Sequence, residues 1–487
     1  MLVPQSSLSD IIADFSTKMN FLVSEIICEF NKITNNLEMS QGIHGIELLW
    51  SQALHKCGEI MRELIHTMMG QLDEKKLIRT CKNEFLLQGI RLENAGKPAR
   101  TILTTRGEIT YKRTMLVPAN EESRARLKEL HNCSSVFPLD KVLGIHKLPF
   151  KMSPKMMLLC VFCGQNQPSY KAAAEILADL GNIQVSSETI RKVVNEVGGK
   201  LFEEDCAQSG ETYENCSIDF NPPDENAILY AEVDGAALNT RTKDDNGSTW
   251  RENKLGVCFK SDDIKQYVHP RTGDLEHRIE ARQYVSYLGK AGEFRKHLFG
   301  MLIENGYGQG RQLVLLSDGA AWIANMAQED YPDCQHILDI YHLEENIFSY
   351  AREIFQNDES KYRPWAENIC QMVREGRIDE VIAILATLPA IQNRNCVNLP
   401  HYLASHRNHI NYPEYLAKGY FIGSGAIESG NKIVLQKRLK LAGMRWNVPT
   451  AQCMLTIRAR VESGLWNEVV DLTMRHYALQ ITECAAA

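Results

Sequence analysis

The sequence predicts a mixed α/β core that carries a helical insertion and follows a mainly helical N-terminal region. Three observations support this prediction. Residues 228–290 contain three consecutive strand-like segments, residues 291–343 alternate between helix and strand patterns, and residues 343–415 lose strand character. Strands and helices that alternate in this way are typical of a mixed sheet with helices packed on its faces.

The chain of 487 residues is too long for one hydrophobic core, so several modules are expected. The patterns divide it into a helical N-terminal region (1–92), a small β-containing segment (93–150), a helix-turn-helix region (151–215), a first part of the core (225–342), a helical insertion (343–418) and C-terminal core helices (419–487).

The composition is that of a soluble globular protein with a net charge of −7. This charge argues against a surface covered with non-specific nucleic-acid contacts, although a local basic patch can still bind phosphate. No apolar run reaches the length of a membrane span, and the N-terminus lacks the pattern of a signal peptide. We therefore expect a cytoplasmic protein with no membrane partner.

Two patterns precede the core. Residues 8–90 place apolar side chains three and four positions apart, which predicts amphipathic helices, either as a bundle or as a dimerisation element. Residues 99–117 alternate polar and β-branched side chains about a glycine, which predicts a two-stranded hairpin.

Residues 169–201 predict a helix, a tight turn and a second helix. Gly181 is expected to form the turn, and Ser186 is expected to cap the second helix. The second helix has an apolar face of Ile190, Val193, Val194 and Val197 and an outer face of Arg191, Lys192 and Asn195. A helix with this pattern can enter a DNA major groove, but helical hairpins that never contact DNA share it. Both interpretations stay open on this stretch alone.

The 14 cysteines are scattered, as expected for reduced core residues. One close pair, Cys160 and Cys163 in LLCVFCGQNQ, has the spacing of a zinc knuckle. A knuckle requires four ligands, and no second pair follows at the usual distance. We therefore predict two buried thiols.

Two predicted strands end in an aspartate followed by glycine, namely EVDG with Asp234 and LLSDG with Asp318. Either one alone is an ordinary turn signal. A third acid, Glu428, is the single carboxylate of the segment 423–446. Three converging carboxylates repel each other by roughly several kcal/mol per pair, so either one of them is protonated or a divalent cation lies between them. Oxygen ligands select Mg²⁺ or Mn²⁺, and two such ions assist phosphoryl transfer.

The segment around Glu428 is otherwise basic. Its positive side chains are Lys432, Lys437, Arg438, Lys440 and Arg445. We interpret Glu428 as a metal ligand and the basic residues as contacts to a nucleic-acid backbone. The alternative is a solvated amphipathic helix with a glutamate in its first turn, where the helix dipole favours acids.

Asp339 and His342 form an Asp-x-x-His pair at a predicted strand-to-helix junction. His342 can be a simple hydrogen-bond partner of Asp339, or it can transfer protons or hold DNA near the site. Trp322 and Trp446 are expected to be packed, with stacking on an unpaired base as the alternative.

These residues lie in motifs that resemble bacterial insertion-sequence transposases of the ISKra type, relatives of the Mutator-like group. The similar segments are VDG (233–235), SDGAAWI (317–323), LDIYH (338–342) and the segment 422–446. The resemblance implies an RNase H-like fold with a DDE triad of Asp234, Asp318 and Glu428. It also implies a helical insertion before the glutamate, and Asp339 and His342 match its C/D-x-x-H motif. The cysteine-rich knuckle of the group is reduced here to Cys133, which leaves a zinc site in doubt.

The resemblance further implies metal-dependent cleavage at element ends, followed by attack of the 3′-hydroxyl on target DNA without a covalent enzyme intermediate. The implied partners are terminal inverted repeats, target DNA and further copies of the chain in a dimer or larger assembly. The implied location is the bacterial nucleoid. Two other functions stay open: a catalytically silent or repurposed DNA-binding protein, and an RNase H-like structure-specific nuclease.

Overall fold

The computed structural model describes residues 74–216, residues 221–389 apart from 272 and 274, residues 396–478, and five isolated positions before residue 74. Most of the predicted N-terminal helical pattern therefore lies outside the described residues. Its last part is helical, as predicted, in α1 (Glu74–Leu87).

The other helices and the strands are bounded as follows. The further helices are α2 Glu121–His131, α3 Pro138–Val142, α4 Pro154–Asn166, α5 Tyr170–Gly181, α6 Ser187–Asn215, α7 Ala291–Glu304, α8 Ala321–Asp330, α9 Ile340–Ile354, α10 Glu359–Arg374, α11 Ile378–Ala386, α12 Leu399–Ser405, α13 Tyr412–Ala417, α14 Gly425–Gly430, α15 Lys437–Leu439, α16 Val448–Glu462 and α17 Trp466–Tyr477, with a π-helical segment at Asn431–Gln436. The strands are β1 Leu92–Asn94, β2 Ala99–Thr104, β3 Gly107–Lys112, β4 Leu116–Pro118, β5 Asn221–Asn239, β6 Trp250–Lys260, β7 Ile264–Val268, β8 Leu275–Ile279, β9 Gln283–Leu288, β10 Gln309–Ser317 and β11 Gln335–Leu338.

The chain forms two compact units. The first comprises Met1–Gly164, Tyr170–Val193 and Val470–Ala487, and the second comprises Gln165–Ser169 and Val194–Val469. The division passes through α6, so the predicted region 151–215 is shared between the two units.

In the first unit, β2 and β3 form the predicted hairpin, paired from Ala99 with Lys112 to Thr104 with Gly107. Behind the hairpin lies the buried carboxylate of Asp140 in α3. It accepts a hydrogen bond from the Tyr111 hydroxyl at 2.7 Å and pairs with the guanidinium groups of Arg100 and Arg113. This buried ion cluster joins the hairpin to α3.

Helices α5 and α6 occupy the stretch that was predicted as helix, turn and helix. The residue with left-handed backbone in the turn is Asn182 (φ 49°), so the expectation that Gly181 makes this turn is wrong. Asparagine adopts this conformation more readily than most residues because its side chain bonds locally. The Ser186 hydroxyl oxygen accepts a hydrogen bond from the Thr189 N–H at 3.0 Å, which confirms the predicted N-cap.

The second unit is built on a five-stranded mixed sheet with the order β11-β10-β5-β6-β9. Strands β5, β10 and β11 are parallel, while β6 is antiparallel to both β5 and β9. The predicted mixed α/β class is therefore confirmed.

Alternate residues of β5 point to opposite faces of this sheet. Ala231 and Val233 belong to the hydrophobic core formed with α7 and α8, whose largest members include Phe294, Leu298 and Ile323. The intervening residues Glu232 and Asp234 consequently belong to the other face.

The region between β11 and α14 is helical in its described residues, as predicted, and contains α9 to α13. Gly376 separates α10 from α11 with a left-handed φ of 75°. The chain enters and leaves this insertion at neighbouring points, because the N–H of Ile340 donates to the carbonyl oxygen of Ile422 at 2.9 Å.

One hairpin was not predicted. Strands β7 and β8 form a two-stranded antiparallel sheet between β6 and β9. None of the helices in the described ranges combines the length and apolar character that a bilayer span requires.

Candidate metal and nucleic-acid site

Three aspartates follow equivalent positions on three neighbouring parallel strands. Asp318 and Asp339 come directly after β10 and β11, whereas β5 continues to Asn239, so the prediction that a strand ends at Asp234 is wrong. Val233 pairs with Ser317, and Ser317 pairs with Leu338, so the next residues are Asp234, Asp318 and Asp339. Neighbouring strands are about 4.8 Å apart, which brings the three backbones close together at one edge of the sheet. The turn after Asp318 uses Gly319, whose φ of 85° favours a residue without a side chain.

Helix α14 brings Glu428 to the same edge. The N–H of Ile427 donates to the Glu232 carboxylate at 2.7 Å, and the Asn431 side-chain amide donates to Asp234 at 2.6 Å. These two bonds lie on either side of Glu428 in the sequence and tie its helical segment to β5.

Glu428 forms a close group with the Asp-x-x-His pair. Ligand atoms of Asp339, His342 and Glu428 all lie within 4.8 Å of one another. Asp339 is fully buried, and its carboxylate accepts hydrogen bonds from the N–H of Tyr341 at 3.1 Å, the N–H of Ser424 at 3.3 Å and the Ser424 hydroxyl. The His342 Nε2 atom lies 3.7 Å from the Asp339 Oδ2 atom.

Asp234 and Asp318 are not members of this close group. Burial raises the pKa of the Asp234 carboxyl, and the negative charge of Asp318 acts in the same direction. The N–H of Gly235, the imidazole of His342 and the amide of Asn431 lower this pKa. His342 therefore acts on Asp234 as well as on Asp339, and the strand pairing brings Asp234, Asp318 and Asp339 to one edge of the sheet.

Glu232 is a site residue that sequence reasoning missed. Its side chain is only 2% exposed. Burial, together with the charges of Asp339 and Glu428, raises its pKa to about 8, although the N–H of Ile427 acts in the opposite direction. The available signal was its position two residues before Asp234, which places both carboxylates on one face of β5.

The side chains of the site fit a divalent cation. The carboxylate oxygens suit Mg²⁺ or Mn²⁺, whereas the nitrogen of His342 is a better ligand for transition ions than for Mg²⁺. A cation would offset the burial and the like-charge repulsion that together raise the pKa of Asp234 and Glu232. The residues whose ligand atoms lie close enough together to share one cation are Asp339, His342 and Glu428.

Within the part of the chain that the structure describes, the cysteines form no comparable site. Cys160 and Cys163 are buried, as predicted, and burial raises the pKa of the Cys160 thiol to about 12. Among the residues that the structure describes, the Asp339, His342 and Glu428 group is the one cluster of potential metal ligands with three members. Cys133 belongs to no such cluster.

Four of the five predicted basic contacts are solvent-exposed, namely Lys432, Lys437, Lys440 and Arg445. The fifth, Arg438, is only 2% exposed, so the prediction that it contacts a nucleic-acid backbone is wrong. It donates to the Pro168 carbonyl oxygen at 3.3 Å, and its guanidinium lies 5.2 Å from the Trp446 ring centroid. Arg438 is therefore a structural residue and unavailable to DNA.

Arg458 also lies inside the protein. It donates to the carbonyl oxygens of Val434 and Ile433 in the π-helical segment, and to Gln165. A π-helical turn is rare and frequently occurs at functional sites. Arg458 thus stabilises the segment that follows Glu428.

The three residues predicted on the outer face of α6 have different surroundings. Arg191 forms an ion pair with Glu188, and Lys192 lies 3.8 Å from the same carboxylate. Asn195 is partly buried and donates to the Thr450 hydroxyl at 3.1 Å. The prediction that it lies on an outer face of the helix is therefore wrong.

Both tryptophans are packed, as predicted. Trp446 is 7% exposed and donates from its indole N–H to the Leu439 carbonyl oxygen at 3.0 Å. Trp322 packs against the core, with the Lys254 ammonium 5.0 Å from its ring centroid.

A basic surface at the β5–β6 connection was missed. We define the basic rim as the exposed residues Arg241, Lys243, Lys440 and Arg445. The N–H of Arg241 donates to the Trp446 carbonyl oxygen at 2.9 Å, which joins two segments about 200 positions apart. No local pattern in the sequence indicates that these segments meet.

Residues 40–472 match the model of a family described as an uncharacterised protein family (UPF0236). The match covers more than half of the chain and includes every site residue named above. No curated protein matches the chain.

Proposed function

We propose that this chain, which belongs to the UPF0236 family, is a metal-dependent DNA transposase of the ISKra type. The observation that carries the proposal is the attachment of Glu428 to β5 through the hydrogen bonds at Ile427 and Asn431. This attachment brings a glutamate from a distant segment to β5, beside Asp234 and the aspartates that follow β10 and β11. Such gathered carboxylates are suited to holding divalent cations for phosphoryl transfer.

An RNase H-like core is part of this proposal. The sheet supports it, because an antiparallel run of β5, β6 and β9 is extended on the other side of β5 by two parallel strands. The insertion of α9 to α13 ahead of Glu428 also agrees with the motif order of these transposases.

Two divalent cations bound at this site would stabilise the attacking and leaving oxygens of an in-line displacement. Asp234, Asp318 and Glu428 would hold the cations, and Asp339 would orient His342 beside them. The hydrogen bonds that Asp339 accepts from Ser424 and Tyr341 fix its carboxylate. The protein contributes positioning and charge, and no side chain is required to form a covalent intermediate.

DNA would contact the exposed basic residues near the site. These are Lys432 and Lys437 together with the basic rim, and they would neutralise phosphates without reading sequence. In the same proposal the helices α5 and α6 form a DNA-binding helix-turn-helix that reads terminal inverted repeats through Arg191 and Lys192. Cleavage of two ends calls for at least two copies of the chain.

Incubation of the purified full-length chain with the DNA that flanks its own gene tests the proposal. We expect nicking and strand joining with Mg²⁺ or Mn²⁺ and none in EDTA. Asp234→Asn, Asp318→Asn and Glu428→Gln should each reduce cleavage by at least about 100-fold, because each removes a cation ligand. Glu367→Gln is a matched control, since this exposed glutamate of α10 contacts Arg363.

Equal cleavage by wild type and the three site variants would refute the assignment. Binding to the flanking DNA without any strand breakage would instead identify a silent or repurposed DNA-binding protein. Cleavage without joining, on DNA of any end sequence, would identify a structure-specific nuclease.

A further inference from the structure

A large cleft adjoins the candidate metal site. Its volume is about 1210 Å³, larger than the roughly 300–1,000 Å³ of a typical small-molecule pocket. One end is lined by Glu232, Gly425 and Tyr341, next to the residues that hold Glu428 and Asp339. The other end is lined by β8 and the residues that follow it. The size and position fit a short segment of a polymer that leads to the metal site.

Tyr341 offers an aromatic face in this cleft. Its side chain is 55% exposed although it lies between Asp339 and His342. The ring lies directly against Gly423, where an added Cβ atom would be only 2.4 Å from the Tyr341 Cε2 atom. The absence of a side chain at position 423 therefore provides the space for the ring, and the other ring face is available to a ligand.

Further along the cleft, Phe421 stacks edge-on with the exposed His277 at 5.7 Å between ring centroids. Arg278 and Arg282 also line the cleft, and neither forms an ion pair within the described residues. The acids here are Glu280, the buried Glu232 and Glu462, which pairs with Arg458 at 2.9 Å. The Arg282 guanidinium lies 5.9 Å from the Tyr284 ring centroid. The cleft therefore combines two guanidinium groups with aromatic faces.

We propose that this cleft binds unpaired nucleotides of the DNA strand next to the phosphate that is cleaved, with a base stacked on Tyr341. The proposal rests on the proposed function. An aromatic face can stack only on a base whose own face is uncovered, so duplex DNA is excluded from this contact. Arginine and aromatic side chains together are the usual means of binding single strands without sequence preference.

Binding assays in EDTA test this inference without any requirement for cleavage. A blunt duplex is compared with the same duplex carrying a short single-stranded overhang that contains 2-aminopurine. We expect the overhang to increase affinity, and stacking on Tyr341 to quench the 2-aminopurine fluorescence. Tyr341→Ala should weaken overhang binding by roughly 5- to 150-fold, since one base stack contributes about 1–3 kcal/mol, and should leave blunt-duplex binding unchanged.

Tyr341→Phe keeps the ring and should retain both the affinity and the quenching. Tyr267→Ala is a matched control, because Tyr267 is an exposed aromatic residue of β7 that does not line the cleft. Arg278→Gln and Arg282→Gln should each reduce the salt dependence of overhang binding by about one ion. Each variant is first compared with wild type by circular dichroism.

Unchanged overhang affinity and quenching in Tyr341→Ala would overturn the inference, even if the chain cleaves DNA. If the wild-type chain cleaves no DNA but Tyr341→Ala loses overhang binding, the proposal that the cleft binds single strands is supported. Only the proposal of transposase activity is then overturned.

Discussion

Replacement of Glu232 by glutamine should stabilise the protein in the absence of a cation. The carboxyl group has an ordinary pKa of 4.5, and burial in the fold raises it to about 8. The folded state therefore holds a proton over the pH range in which the unfolded state has released it. Stability contributed by this group is present at low pH and is lost as pH rises from 4.5 toward 8.

The size of the effect follows from the two pKa values. Relative to low pH, the raised pKa of Glu232 lowers the free energy of unfolding by about 3 kcal/mol at pH 7 and by about 4 kcal/mol at pH 8. Glutamine is neutral at every pH and keeps an oxygen that can accept the Ile427 N–H bond. We therefore expect Glu232→Gln to exceed wild-type stability at pH 8 by up to about 4 kcal/mol and to match it near pH 4.5.

Urea unfolding in EDTA at pH 5, 7 and 8 measures this difference. Glu280→Gln is the control, because it makes the same chemical change at an exposed glutamate and leaves Glu232 in place. Addition of Mn²⁺ should reduce the advantage of Glu232→Gln, since a bound cation stabilises the negative charge. A difference in unfolding free energy that is constant with pH, or that grows toward pH 5, would refute the reasoning.

Further predictions concern the ion cluster, the cation, the histidines and the basic segment. Asp140→Ala should lose about 3–5 kcal/mol in urea unfolding, because it leaves two buried guanidinium groups without their carboxylate. Mn²⁺ at 100 times its dissociation constant should stabilise wild type by about 2.7 kcal/mol in thermal melts, and Glu428→Gln should lose most of this gain. Burial lowers the pKa of His336 from 6.5 to about 3. The free energy of unfolding should therefore decrease as the pH falls from 6.5, by about 2 kcal/mol at pH 5. His336→Gln should remove most of this pH dependence in urea unfolding. Lys437→Ala should reduce the salt dependence of DNA binding by about one ion, whereas Arg438→Ala should cost about 2 kcal/mol of stability in the same urea assay.

Much of the sheet and its acidic edge follows from local sequence patterns. The apolar runs that lead to Asp234 and Asp318 are both followed by glycine, and local periodicity is sufficient to predict that they are strands. It does not show that β5 continues past Asp234 to Asn239, because that continuation is paired with the distant strand β6. Asp339 and His342 were also expected to be close, because three positions span one helical turn. These features depend on neighbours in the sequence.

The features that were missed depend on residues far away. Arg438 looks like a DNA contact until the fold brings the Pro168 carbonyl oxygen to it, 270 positions earlier in the chain. Asn195 is similarly occupied by Thr450. Formal charge alone therefore overestimated the basic surface of the Glu428 segment and overlooked Arg241, which belongs to a different segment.

The β7–β8 hairpin was missed for a different reason. Its strands are mostly exposed on both faces, so no alternation of polar and apolar residues marks them. Glu232 was overlooked because an acid in a strand is normally interpreted as a solvent-facing residue.

The hydrogen bond between Ile340 and Ile422 brings together the two ends of a segment of about 80 residues. Closing a longer loop between fixed ends costs only slightly more entropy, so such a junction tolerates segments of very different length. Tyr402, which lies in this helical insertion, donates to the Asp318 carbonyl oxygen at 2.7 Å. A chain with a shortened insertion can keep the strands in register and still lose the hydrogen bond from Tyr402 to Asp318. Such a chain would fold but would lack one of the contacts that position the acidic site.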